Sequence, residues 1–206
     1  MDNHDNNEYS LKEVQAGNRS EFAKLIDVHS DQIFRLAIKI LGNEQDAEDV
    51  LQNTFLKAFQ KIGSFEGRSN VSTWLYRIAT NEALMTIRKR RPEINISEFT
   101  NEENEEIESP IQFIDWCCLP ENELLSEETR EVMDEAINQL SEALKIVFIL
   151  RDIEGVSIQE TGQILNLSET AVKTRLLRAR LKLREKLTTY FGERLANRSE
   201  SEDYET

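Results

Sequence analysis

"SETAVKTRLLRARLK", Ser168 to Lys182, carries the cations Lys173, Arg175, Arg178, Arg180 and Lys182 against the single acid Glu169, in a chain of formal net charge -14. Val172, Leu176, Ala179 and Leu183 recur at helical spacing, so the stretch reads as a helix with one apolar face. Ser168 can cap it after the turn "LNLS". Just upstream, Ser157 and Glu160 of "SIQE" have the spacing of a capping box, which starts a shorter helix at Ile158. Two capped helices around a tight turn form a helix-turn-helix whose second helix is the basic one. There its first residues would face a major groove and later ones the phosphates. The same cations could instead be the solvated side of a packed helix; their position in the second helix favours DNA.

The rest of the composition also favours helices. Of 206 residues, 39% are hydrophobic and 31% charged, with only seven Gly and three Pro, and few stretches alternate polar with apolar as strands do. An all-α protein is expected. The N-terminal "MDNHDNNEYS" has neither a basic nor an apolar segment, and no apolar run approaches the ~18 residues that span a bilayer. The expectation is a cytoplasmic protein without membrane insertion. Cys117 and Cys118 are adjacent, which suits a reducing compartment better than a mutual disulfide, and with His4 and His29 they make a poor metal set. The glycines form neither a phosphate loop nor a dinucleotide fingerprint, so no cofactor is expected.

Pro92, Pro110 and Pro120 all fall in one interval, which also holds the glutamate-rich "SEFTNEENEEIESP". Residues 92–120 therefore read as an acidic linker between two small helical domains, 10–91 and 121–191, with a frayed acidic tail beyond. In the first domain Phe22, Leu25, Ile26, Ile33, Leu36, Ala37, Ile40 and Leu41 form one helical stripe. Ala47, Val50, Leu51, Thr54, Phe55, Ala58, Phe59 and Ile62 form another. A third helix starts near Ser72, carries Trp74, Leu75, Ile78 and Ala79 inward, and ends in the cations Arg88 to Arg91. In the second domain, Leu125 to Leu140 and "LKIVFILRDIEG" supply two more helices, the latter stopping at Gly155.

"FEGRSNVSTWLYRIATN" sets small polar residues and arginines beside aromatics. Phe65, Trp74 and Leu75 can be plain core beside a turn; the loop from Gly67 to Ser72, with Asn81, is suited to holding an unstacked base by its edge. Asp46, Glu48 and Asp49 cluster, but Glu48 points away from the other two and no metal-ligand set accompanies them, which argues against an enzymatic site.

Two stretches also match a family. "DAEDVLQNTFLKAFQKIGSFEGRSNVSTWLYRIATNEALMTIRKRR" resembles the second conserved region of bacterial sigma factors, and "LSEALKIVFILRDIEGVSIQETGQILNLSETAVKTRLLRARLKLREKL" resembles the fourth. Both in this order, with only a linker between, resemble the short extracytoplasmic-function (ECF) class. The resemblance implies a transcription initiation subunit whose partners are core RNA polymerase, promoter DNA and an anti-sigma factor. It implies that Arg151, Lys173, Thr174, Leu177 and Arg178 meet the minus-thirty-five element. Arg68, Ser69, Asn70, Trp74, Asn81 and Arg88 would serve the minus-ten element, where a base of the non-template strand is flipped out. Asp46, Asp49 and Gln52 would dock the clamp helices of the largest polymerase subunit. Thr161 and Gly162 depart from the family pattern of an aliphatic residue and alanine. A mid-helix Gly costs ~1 kcal/mol relative to Ala, so a looser supporting helix is expected there.

On this reading the local cations meet DNA while the acidic remainder keeps the free protein off it. The linker could stretch to ~100 Å, enough to span two DNA turns of ~70 Å if the polymerase holds it extended. The rival reading is a stand-alone helix-turn-helix regulator, which would need neither "DAEDVLQNTF" nor the aromatic loop. A nucleic-acid enzyme using the clustered acids is a weaker rival for want of metal partners.

Overall fold

Two asparagines set the two long helices of the N-terminal half. The computed structural model describes residues 9–67, 69–90 and 127–202, the side chains of 127–130 and 191–202 apart. After the short helix α1 (Leu11–Gln15), the Asn18 side chain accepts from the N–H groups of Ser20 and Glu21 at 3.0 and 3.3 Å and starts α2 (Arg19–Leu41). Gly42 ends that helix at φ 65°, a left-handed conformation open to glycine, and donates its N–H to the Ile38 carbonyl at 2.7 Å. Asn43 then accepts from the Asp46 N–H at 3.0 Å to open α3 (Glu44–Lys61). A 3₁₀ turn, Ile62–Ser64, leads through the polar loop to α4 (Val71–Arg90).

Helices α2, α3 and α4 pack on one another pairwise. Their core holds Leu25, Ile33, Leu36 and Ile40 from α2, Ala47, Val50 and Ala58 from α3, and Leu75, Ala79 and Ala83 from α4. Full burial of each Leu, Ile or Val side chain stabilises by ~1.5–3 kcal/mol. Trp74 and Ile78, expected to face inward, are only half-buried, and Tyr76 and Thr80 take the buried positions instead. Phe59 is likewise 43% exposed, its ring meeting Phe22 edge-on at 5.0 Å between centroids.

The described residues from Glu127 onward form α5 (Glu127–Asn138), α6 (Glu142–Phe148), a π-helical turn (Ile149–Ile153), α7 (Ile158–Leu165) and α8 (Glu169–Glu202). Among the described residues there is no strand, and the fold is all-α as the composition indicates. The π turn widens the end of α6 so that the Glu154 N–H reaches the Ile149 carbonyl at 2.9 Å and the Val156 N–H that of Leu150 at 2.9 Å. Gly155, at φ 69°, then reverses the chain.

By proximity the described residues up to Arg90 and Ile149–Val172 make one compact unit. The described residues from Glu127 to Phe148, with those from Lys173 onward, make a second.

Candidate nucleic-acid and polymerase interfaces

The helix-turn-helix is closed by side chains at each corner. Ser157 and Glu160 form the expected capping box: the Ser157 hydroxyl accepts from the Glu160 N–H at 3.1 Å, and the Glu160 carboxylate accepts from the Ser157 N–H at 3.2 Å. The Ser157 hydroxyl, with that of Thr73 after it, holds the Glu160 carboxyl below the usual carboxylate range although burial opposes this. Helix α7 ends at Asn166 in the left-handed region, φ 56°, and the Leu167 N–H donates to the Gly162 carbonyl at 2.9 Å. Ser168 caps α8, accepting from the Ala171 N–H at 3.1 Å.

Gly162 corrects the expectation of a loosened helix. It is buried, and a Cβ there would lie 2.8 Å from the Leu167 carbonyl oxygen, so glycine lets the turn approach the helix closely. The neighbouring backbone leaves no room for alanine.

On α8 the expected apolar stripe of Val172, Leu176, Ala179 and Leu183 is buried. Lys173 is exposed, Thr174 partly so and Leu177 48% exposed, which puts these three on one accessible side. Arg175 and Arg178, read from sequence among the outer cations, are instead 5% and 9% exposed. Arg151 lies in the π turn, where its guanidinium donates to the Val156 carbonyl and ties the turn that precedes α7.

In the N-terminal half, Arg68 lies outside the described residues. Ser69 is half-buried and Asn70 exposed, and the Asn70 carbonyl accepts from the Trp74 N–H at 3.1 Å as α4 begins. The Trp74 ring meets Phe65 at 5.2 Å, tilted by 49°. Trp74, Ile78, Asn81, Met85 and Arg88 follow one another at alternating four- and three-residue spacing, which lines them along one side of α4. Asn81, Met85 (44%) and Arg88 are exposed. Met85 escaped the sequence reading, though its register with Asn81 and Arg88 was the available signal.

On α3, Asp49 and Gln52 are exposed, whereas Asp46 is ion-paired with Arg90. Leu56, one turn beyond Gln52 and off the apolar stripe, is 61% exposed, an apolar residue that sequence reasoning passed over. Among the described residues no three His, Cys, Asp or Glu side chains gather to hold a metal ion. Cys117 and Cys118 lie outside the described residues.

Two family models match this chain: Sigma-70 region 2 over residues 25–93 and Sigma-70 region 4 over residues 125–183. It is 36% identical over 178 residues to the ECF RNA polymerase sigma factor SigW of Bacillus subtilis, covering 86% of this chain and 94% of that one. The chain belongs to the ECF sigma factors. Another ECF relative, the sigma-E factor of Haemophilus influenzae, is 32% identical over 179 residues, covering 86% of this chain and 93% of its own. Among solved structures, the sigma factor RpoE of Bartonella quintana, in complex with the anti-sigma factor NepR, superposes with a TM-score of 0.58 at 28% identity. That match covers 81% of this chain and 96% of that one. CnrH, in complex with the cytosolic domain of CnrY, shares the fold, with a TM-score of 0.60 at 24% identity, over 86% of this chain and 94% of that one.

As an ECF sigma factor the protein directs promoter-specific transcription initiation with RNA polymerase. The family is one of sigma factors and not of enzymes. No helix among the described residues is long and apolar enough to cross a membrane.

Proposed function

We propose that residues 10–91 dock core polymerase and read the minus-ten element, that 92–120 is the linker, and that 121–191 reads the minus-thirty-five element. The observation that carries this is the accessible trio Lys173, Thr174 and Leu177 on the second helix of a capped helix-turn-helix. A lysine ammonium can reach guanine acceptors in the major groove, and a leucine can pack on a thymine methyl. Arg178 and Arg151 belong to the same reading. Arg178 would act once its guanidinium becomes accessible, and Arg151 by fixing the turn before α7.

The minus-ten reader is the loop with Arg68, Ser69 and Asn70, together with the side of α4 bearing Trp74, Asn81 and Arg88. Small polar groups beside aromatics suit one extruded base of a single strand. Asp46, Asp49 and Gln52 belong to the polymerase-docking surface, and exposed Leu56 extends it. A stand-alone regulator would have no use for that surface. The chain itself does no chemistry and acts in the cytoplasm, where the polymerase is. Its likeness to RpoE, solved with NepR, supports an anti-sigma factor as a further partner.

The test replaces Ser69, Asn70 and Asn81 with alanine and measures transcription from a template already mismatched and open across the minus-ten region. Discrimination between right and wrong bases should fall tenfold to a hundredfold, or ~1–3 kcal/mol. Full discrimination on the open template would limit the loop to melting.

A further inference from the structure

The five residues of α1 are too few to hold a helix by themselves, since isolated helices shorter than ~12 residues are marginal in water. Its neighbours hold it instead. Val14 is buried, the Ser10 N–H donates to the Glu21 carboxylate at 2.6 Å, and the Asn18 N–H donates to the Glu13 carbonyl at 3.0 Å. Both ends of α1 are thus fastened at the start of α2, and Gln15, its last residue, has a fixed origin. From there the Gln15 side-chain amide donates through Nε2 to the Phe65 carbonyl at 2.7 Å, fifty residues along the chain.

Phe65 stands where the 3₁₀ turn gives way to the polar loop. Its N–H donates to the Ile62 carbonyl at 3.0 Å and its carbonyl accepts from Gln15, so the peptide plane leading into Glu66 is set. The Phe65 ring meets that of Trp74, and the Trp74 N–H holds the carbonyl of Asn70 at the other foot of the loop. The two feet are therefore held from different places, one by α4 itself and one by α1.

We infer that Gln15 is a positioning residue for promoter reading: through the Phe65 carbonyl it fixes the first foot of the minus-ten loop, and so the place where an extruded base is held. This role rests on the reading of that loop proposed above. A glutamine bonded to a backbone carbonyl can serve the fold alone, but the place of this one argues otherwise. Gln15 and Phe65 are both partly exposed, outside the buried core that α2, α3 and α4 make together. A site for one base, by contrast, needs its groups held to within ~0.5 Å by supporting hydrogen bonds.

The experiment uses the full chain carrying Trp116→Phe, which leaves Trp74 as the single tryptophan, and compares Gln15→Met and Gln15→Glu with that parent. Both keep the length of the side chain, but methionine has no donor and an ionised carboxylate no proton to give. Acrylamide quenching of Trp74 fluorescence should rise in both variants, while affinity for labelled core polymerase stays that of the parent. On a template mismatched and open across the minus-ten region, discrimination between right and wrong bases should fall roughly twofold to tenfold, the worth of one net hydrogen bond. Unchanged quenching or unchanged discrimination overturns the inference. So does discrimination lost only together with polymerase affinity, which would make Gln15 a support of the whole fold. Ser69→Ala with Asn70→Ala and Asn81→Ala, on the same template, separates this role from the reading beneath it. If that variant loses discrimination while the Gln15 variants keep it, the role of Gln15 alone falls. If it keeps full discrimination, the reading falls and the role of Gln15 with it.

Discussion

The Arg90 guanidinium near the end of α4 is ion-paired with Asp46 in the first turn of α3, whose side chain is 18% exposed. The cationic end of one helix thus fastens the acidic start of the other, each charge also lying at the helix end its dipole favours. Asp46 therefore differs from Asp49 and Gln52, its companions on the proposed docking surface, in also holding two helices together.

That difference gives opposite expectations for neighbouring acids. Asp49→Ala with Gln52→Ala and Leu56→Ala should weaken binding to core polymerase while leaving the melting temperature within a few degrees, because all three side chains are solvated. Asp46→Ala should lower the melting temperature by releasing Arg90. Binding measured by titration against labelled core polymerase, beside thermal melts, checks both; equal affinity in the triple variant would remove this surface from docking.

Gly162→Ala reverses the usual helix preference. Propensity alone favours alanine by ~1 kcal/mol. The 2.8 Å approach of a Cβ to the Leu167 carbonyl oxygen should outweigh that, giving a net loss of ~1–3 kcal/mol in chemical denaturation. A more stable alanine variant would show that the turn relaxes freely.

The helix ends were legible because caps act locally: Ser157 with Glu160, Ser168 and Gly155 each reveal their role within four residues of sequence. The apolar stripes were legible for the same reason, being periodic. What periodicity cannot show is which side of a helix a distant segment covers. Arg175 and Arg178 are cations on a basic helix, yet they are buried, while Leu56 and Met85 are apolar and exposed. Gly162 misled in a related way, since its propensity cost is local but its reason, the returning carbonyl of Leu167, lies across the turn.

The minus-thirty-five readers should separate by exposure. Lys173→Ala and Leu177→Ala should change base preference at single positions by ~1–3 kcal/mol with little effect on folding. Arg178→Ala should lower the melting temperature as well, because its side chain is buried. Promoter libraries transcribed by each variant, read by sequencing, give the preferences; a uniform loss across sequences for Lys173→Ala would make it a phosphate contact.

Glu160 gives a pH dependence. Its folded pKa lies below the ordinary 4.5, so its stabilisation is present above that value and is lost as pH falls through the folded one. Melting temperature should therefore fall more steeply on acidification below about pH 5 in the parent than in Glu160→Gln. Parallel curves would mean that the carboxylate's bonds contribute nothing to the fold.

This chain gives core RNA polymerase its choice of promoter. The direct measurement is run-off transcription from a randomised promoter library, using purified core polymerase with and without the chain, followed by sequencing of the transcripts. Transcripts should form only when the chain is present, enriched for one minus-thirty-five and one minus-ten sequence at a fixed separation. Transcripts without enrichment, or tight sequence-selective binding of promoter duplex by the chain in the absence of polymerase, would contradict it.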